Sequence, residues 1–403
     1  MKKTLLSLFL LMGALFLVAC GSSSDSGKDD ASSSSSSSSE ASNDSIKIAG
    51  IFSASGGAAA LGEPEMNTLK MLVEQKNAEG GINGQQVELV TYDDKSDQNE
   101  AILAMKKAIT QDKVSIVIGG TTSGNALAML PLAEQNKIPY ISVAASKLVH
   151  MDESGKAREW VFKMPQDDQL AIERMLQYLK DNNLKKVAWL NVANSYGTGG
   201  HDEFVKNAPK YGLEPVIEDE FEATVADAKP LLTRVKKAKP DAIIVWGTVQ
   251  ESAVVIKNIR ELALEMPVVA SHGIATNQFL EVAGAAGNDV VLPTGKLLVA
   301  GSLEDSNPQK ALLVAYEEAY TAKYNKPAST FGAYAADGFT IATKAIEAKG
   351  NDSVAIRDYI ENELGEFVGL TGTFNISPDN HMGLSSDSFA MVRIVDGKWT
   401  LED

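Results

Sequence analysis

Five short polar loops, each directly after an apolar run, hold the residue types that could do chemistry: Gly119-Gly120-Thr121-Thr122-Ser123-Gly124, Ala144-Ala145-Ser146, Asn194-Ser195-Tyr196-Gly197, Gly247-Thr248 and Ser271-His272-Gly273. Together they offer hydroxyls, backbone N–H groups, one phenol and one imidazole. That set suits the holding of an anion, because a carboxylate leaving water needs several donors at once. Loops that open a helix add free N–H groups and the positive end of its dipole.

The same residues do not make a catalyst. His150, His201, His272 and His381 are scattered without metal-ligand spacing or an HExxH pattern. Gly120-Thr121-Thr122-Ser123-Gly124 is not a GxSxG nucleophile elbow, whose serine is central. No P-loop run is present, and Gly197-Thr198-Gly199-Gly200 stops short of the dinucleotide-binding glycine pattern. The sequence reads as a binding protein rather than an enzyme, with no metal or cofactor demanded.

The elements that must position these loops follow from hydrophobic periodicity. Strands are expected at 46–51, 87–92, 114–118, 140–143, 187–192, 216–221, 242–246, 268–270 and 297–300. Several are apolar throughout, as strands buried on both faces are. Between them, Ile172, Met175, Leu176 and Leu179 recur at i, i+3, i+4 and i+7, and Met66, Leu69 and Val73 do the same before Gly80-Gly81, which suits a helix C-terminus. This β-α-β-α alternation predicts parallel sheets covered by helices, and open parallel sheets bind ligands beyond the carboxyl ends of their strands. Trp246 ends an apolar strand and reads as core.

The chain opens on Lys2-Lys3, an apolar run from Leu5 to Val18, and Leu17-Val18-Ala19-Cys20-Gly21. Residues 1–19 read as a signal peptide, and Leu-Val-Ala-Cys resembles the lipobox of bacterial lipoproteins, in which Cys20 is acylated and becomes the first residue of the mature chain. An ordinary signal peptide that happens to contain a cysteine is the plain alternative. Residues 20–45 are nearly all Ser, Gly, Asp, Lys and Ala, with eight serines from Ser32 to Ser39. Such a segment lacks the apolar surface to offset its ordering entropy, so it is expected to be a tether with a reach of about 25 to 30 Å.

Once Lys2 and Lys3 are removed, 35 basic residues face 53 acidic ones, a formal charge of −18 against −16 for the whole chain. That balance excludes a nucleic-acid footprint and repels anionic lipid, so acylation must supply any membrane attachment. Cys20 is the only cysteine, so the exported chain carries no disulfide. The 358 residues from Ile46 onward are more than one core usually serves, and two lobes are expected.

Asn77-Ala78-Glu79-Gly80-Gly81-Ile82-Asn83-Gly84, Tyr92-Asp93-Asp94, Ile116-Val117-Ile118-Gly119-Gly120, Ser195-Tyr196-Gly197 and the late Gly369-Leu370-Thr371-Gly372-Thr373-Phe374 together resemble the leucine/isoleucine/valine-binding proteins of bacterial ABC importers. The resemblance runs from Ile46 to the end. It implies an α/β, type 1 periplasmic binding (Venus-flytrap) fold: two Rossmann-like lobes with parallel sheets, joined by three crossing segments and closing on a ligand. By position the crossings fall near 163–166, 300–302 and 370–373, which makes 46–164 plus 301–369 the N-terminal lobe and 165–300 plus 370–403 the C-terminal lobe. The partners it implies are a small amino acid or related carboxylate and the permease and ATPase subunits of an importer. A component that presents ligand to a separate sensor is the competing role.

Carried across residue by residue, Ser123 and Ser146 match the family's carboxylate-binding hydroxyls, with Thr122, Gly124, Ala144 and Ala145 beside them. Ser123 could equally cap a helix beginning near Asn125, and the two roles are compatible. Tyr196 matches an aromatic on the facing lobe, set on what reads as a flexible loop, Gly197-Thr198-Gly199-Gly200. Leu61 and Thr248 stand where the family usually carries aromatic rings, so the pocket shape is expected to differ. His272 stands where the family has a glutamate that pairs with the ligand's α-ammonium. Three readings follow: Glu251 or Glu63, near the pocket loops, supplies that charge; the ligand has no ammonium, and His272 donates a hydrogen bond to a carboxylate or hydroxyl of an aromatic or aliphatic acid; or His272 is satisfied away from the ligand.

Overall fold

The computed structural model describes residues 45–402; the signal peptide, Cys20 and nearly all of the tether lie outside that range. The first sheet is built from β1 (Ile46–Phe52), β2 (Val87–Asp93), β3 (Ile116–Gly119), β4 (Tyr140–Ser142) and β5 (Val161–Lys163), interleaved with α1 (Ala59–Ala78), α2 (Gln98–Lys107) and α3 (Ser123–Asn136). All its pairings are parallel, in the order β2-β1-β3-β4-β5. β1, β3 and β4 are almost wholly buried, as continuous apolar strands covered on both faces must be.

The second sheet follows from α4 (Asp168–Asp181), β6 (Lys186–Val192), α5 (Ser195–Asn207), β7 (Glu214–Phe221), α6 (Lys229–Ala238), β8 (Ala242–Trp246), α7 (Val249–Glu261), β9 (Val268–Ala270), α8 (Asn277–Ala283) and β10 (Val290–Gly295). The chain then returns to cover the first sheet with α9 (Lys310–Tyr324), α10 (Thr330–Lys349) and α11 (Ser353–Asn362), and makes a hairpin of β11 (Glu366–Val368) and β12 (Thr373–Asn375). It ends in β13 (Phe389–Val395) and β14 (Lys398–Leu401), which join the second sheet antiparallel, giving the order β14-β13-β10-β9-β8-β6-β7. The architecture is thus α/β, with parallel sheets in two lobes.

The strand expected at 297–300 is instead a tight helical turn over Lys296–Ser302. The strand lies just before it, in β10, where Pro293 masked the signal. Proline is tolerated there because β10 pairs with β9 only at Val290 and Val291, leaving one side free at residue 293. His381, in the segment expected in the second lobe, lies beside β5 of the first: Lys163 N donates to His381 O at 3.1 Å, and the His381 ring stacks on Phe162.

The segments expected to cross between the lobes are tied together by hydrogen bonds. Gln166 Nε2 donates to Thr371 O and Ser388 O, both at 3.2 Å, and Gln309 Nε2 donates to Gly369 O and Leu370 O. Lys163, fully buried, donates to Pro165 O at 2.6 Å. Burial pushes its ammonium down and pushes the Asp168 carboxyl up, the two charges opposing those shifts in each other.

Candidate functional site

In both sheets the strand order reverses once, between β1 and β3 and between β6 and β8. Helices following such neighbours leave on opposite faces, so a crevice opens beyond the strand ends. The loops after these strands line one cavity of about 400 Å³ between the lobes.

On the first lobe, β3 runs into Gly119 and Gly120, both at positive φ. A side chain on Gly119 would lie 2.0 Å from Ile51 O, and one on Gly120 would lie 2.0 Å from Tyr140 Oη. Only glycine lets the chain turn here and start α3 at the cleft. Thr122, rather than Ser123, is the cap of α3: its Oγ1 accepts from Asn125 N at 3.2 Å. Ser123 is the first helical residue, and Thr122, Ser123 and Gly124 all line the cavity. The helix start thereby offers hydroxyls and unpaired N–H groups to an anion.

In the same wall, Thr121 Oγ1 donates inward to Glu65 Oε2 on α1. Burial raises Glu65 well above the usual carboxylate range, Thr121 opposing and Asp94 adding to the shift. That shift disfavours the ionised form and so lessens any repulsion of an anion in the cavity. Ala145 lines the cavity, whereas Ala144 and Ser146 do not. Ser146 is 2 % exposed and its Oγ accepts from Leu148 N at 3.3 Å, capping the turn Lys147–Val149. Its matched ligand role therefore has no counterpart in the geometry.

On the second lobe, Asn194 caps α5, its Oδ1 accepting from Tyr196 N and Gly197 N at 3.0 and 3.1 Å. The glycines read as a flexible loop are the first turns of this helix. A side chain on Gly197 would lie 1.7 Å from Val192 O, and one on Gly200 would lie 2.3 Å from the Trp246 ring. They are small so that α5 can pack against β6 and the fully buried Trp246, which donates to Tyr196 O at 3.0 Å. Tyr196 is carried into the cavity wall on this rigid base.

Thr248 lines the cavity at the start of α7, where its N and Oγ1 donate to Glu251 Oε1 at 2.6 and 2.8 Å. Glu251 lines the cavity as well. Glu63 does not: it faces outward and pairs with Lys326 at 2.9 Å. His272 sits edge-on to Tyr196, Trp246 and Phe389, at ring separations of 5.7 to 5.8 Å. Burial, with the Lys163 ammonium adding, pushes its imidazole down to about 3, so the ring is neutral. Nδ1 is 3.5 Å from Tyr196 Oη, and Nε2 is buried without a partner among the described residues. His272 thus borders the cavity but presents no open nitrogen to it.

Leu61 on α1 lines the cavity together with Val143, Pro165, Phe331 and Tyr334. The last two come from α10, more than two hundred residues from the first polar loop, and no local pattern marks them. Lys95, Ser96 and Gln98 form the rim. Lys95 and Ser96 are left-handed, a conformation held by Asp93 Oδ1 accepting from Lys95 N and Asp94 Oδ1 accepting from Ser96 N. Among the described residues no group of three or more His, Cys, Asp or Glu could hold a metal ion.

Comparison with known proteins fits this geometry. The chain is 26% identical over 358 residues to the Leu/Ile/Val-binding protein BraC3 of Rhizobium johnstonii, covering 88% of this chain and 92% of that one. Its fold superposes with a TM-score of 0.83 on an extracellular ligand-binding receptor from Rhodopseudomonas palustris, at 26% identity, over 89% of this chain and 100% of that one. The branched-chain amino acid transporter substrate binding protein LivJ of Streptococcus pneumoniae, solved in complex with isoleucine, matches at 29% identity and a TM-score of 0.78, over 88% and 98% of the two chains. With a family model matching residues 45–398, the chain belongs to the periplasmic binding protein family and is a solute-binding protein rather than an enzyme.

Proposed function

We propose that the protein captures a small carboxylate-bearing solute, in the first instance a branched-chain or related amino acid, by closing its two lobes and delivering it to the permease of an ABC importer. The observation that carries this is the cavity between the lobes, with the hydroxyls and free N–H groups at the start of α3 on one wall and apolar and aromatic side chains around it. Thr122, Ser123, Gly124 and Ala145 would hold the carboxylate, while Leu61, Tyr196 and Thr248 would border the side chain. Contacts from both lobes stabilise the closed form only, so binding shifts the population toward it. The names of the relatives, which include an isoleucine complex, support the same reading.

A second reading, an aromatic or aliphatic acid without an ammonium, is favoured by the neutral His272 at the position of the family's glutamate. Calorimetric titration with leucine, isoleucine, valine and branched or aromatic acids tests both; a protein that binds none of them overturns the capture reading. Acylation at Cys20, outside the described residues, would anchor the protein on the extracytoplasmic face of the membrane. Loss of detergent-phase partitioning in Cys20→Ser tests the anchor, and unchanged partitioning overturns it.

A further inference from the structure

We propose that Lys147 is a clasp between the two lobes, a positioning residue that holds the closed form through second-lobe side chains without touching the ligand; the assignment rests on the capture reading above. Lys147 opens the turn after β4, on the first lobe. Its Nζ donates to Gln169 Oε1 on α4 at 2.7 Å and lies 3.5 Å from Glu203 Oε1 on α5, two helices beside the second sheet. Both contacts break when the lobes part, so they stabilise the closed form alone.

The receiving groups are held in place by their own helices. Gln169 Nε2 donates to Glu173 Oε1 at 2.8 Å, which leaves the amide oxygen for Lys147. Glu203 Oε2 accepts from Asn207 Nδ2 at 3.1 Å, and its Oε1 lies 3.4 Å from Lys206 Nζ. The side chains of Lys147 and Glu203 are 24 % and 12 % exposed, short of the open surface where ion pairs contribute least.

The seam needs that cation. Asp168 is buried there with both carboxylate oxygens unpartnered among the described residues, and the Glu203 charge acts on it. Lys163, the other cation near Asp168, donates to Pro165 O. A side chain on Gly199 would lie 2.6 Å from Asp168 Oδ2 and 3.7 Å from Ser146 Oγ, so the first-lobe turn, α4 and α5 meet at one point. Closing the lobes therefore draws two acids out of water, and the Lys147 ammonium offsets part of that penalty.

The clasp is built on elements that also wall the cavity. Ala145 precedes Lys147 on the same loop, and Tyr196 stands at i−7 from Glu203 on one face of α5. Both line the cavity, whereas Lys147, Gln169 and Glu203 do not. Ligand and clasp thus favour one lobe arrangement from separate places.

The test uses the mature chain with Cys20→Ser, which leaves no native cysteine. Energy-transfer labels go on Leu103→Cys in α2 and Lys236→Cys in α6, one exposed position on each lobe. Lys147→Met keeps the stem, removes the charge and should lower the closed-to-open ratio about 3- to 10-fold, the range for a partly exposed contact of this kind. If the empty wild type is mainly closed, the loss appears as a longer label distance. If it is mainly open, the loss appears in calorimetry as one common factor in affinity for each of leucine, valine and 4-methylpentanoate that the wild type binds. Gln169→Met should act in the same direction, and the double variant should lose less than the two single losses combined. Unequal factors, which a direct ligand contact would give, or no change in distance and affinity, overturn the clasp and leave the capture reading standing. A wild type that binds none of these compounds, nor the other acids, overturns the capture reading and the clasp with it.

Discussion

Thr121 Oγ1 donates to Glu65 Oε2 at 2.5 Å while accepting from Ser53 N at 2.9 Å, so a hydroxyl on the cavity wall is spent inside the protein. The bond favours an ionised Glu65, but burial outweighs it and raises the carboxyl well above the ordinary value of 4.5. Between those values the folded chain binds more protons than the unfolded one, so stability falls as pH rises through the window. Glu65→Gln is neutral throughout and removes that slope. Urea midpoints measured from about pH 4.5 to about pH 8 should move in favour of the variant as pH rises. Parallel curves would mean that Glu65 is ionised in the folded protein.

His272 carries the opposite dependence. Its folded value lies near 3 against an ordinary 6.5, so between the two the unfolded chain binds the extra proton and stability is lost as pH falls. From pH 6.5 to pH 5 the loss is about 2 kcal/mol. His272→Phe, an uncharged ring for the aromatic cluster, should abolish that part of the acid sensitivity. An equal acid loss in wild type and variant would place the sensitivity elsewhere.

Gly200→Ala puts a methyl where the Trp246 ring already lies, 2.3 Å away. Overpacking of this kind costs about 1 to 3 kcal/mol and here displaces the first turn of α5, which carries Tyr196. A lower melting temperature together with weaker ligand binding is expected. A normal melt with normal affinity would show that α5 has slack against β8.

Ser123 and Ser146 separate a cavity hydroxyl from a buried cap. Ser123→Ala should weaken ligand binding with little change in the melt of the empty protein. Ser146→Ala should leave affinity nearly unchanged and cost about 1 kcal/mol of stability through the lost cap. The reverse pattern in calorimetry and thermal denaturation would contradict both assignments.

What was legible in the sequence was whatever a local pattern encodes. The apolar runs that became β3, β6 and β8, and the polar loops following them, are marked by residues adjacent in the chain, as is the start of α3. What was not legible depends on distant neighbours. Phe331 and Tyr334 reach the cavity from α10 and look like any buried helix residues. Gly197 and Gly200 read as flexibility because the reason for their smallness, Val192 O and Trp246, lies across a helix–sheet interface. Ser146 matched a ligand hydroxyl by position, yet the turn Lys147–Val149 folds over it. His272 announced a departure at a known position, and only its aromatic neighbours reveal that the ring is closed off.

The two strand-order reversals bring the starts of α3, α5 and α7 toward one cavity within a chain of net charge −16. Helix ends act within about one turn, whereas net charge acts out to a Debye length of about 8 Å in physiological salt. An approaching anion is therefore repelled first and attracted only at contact, while a zwitterion meets neither barrier at long range. Association rates of a simple carboxylate should rise with added salt, and those of an amino acid should not. The outer surface thus sorts solutes by net charge before any pocket residue touches them.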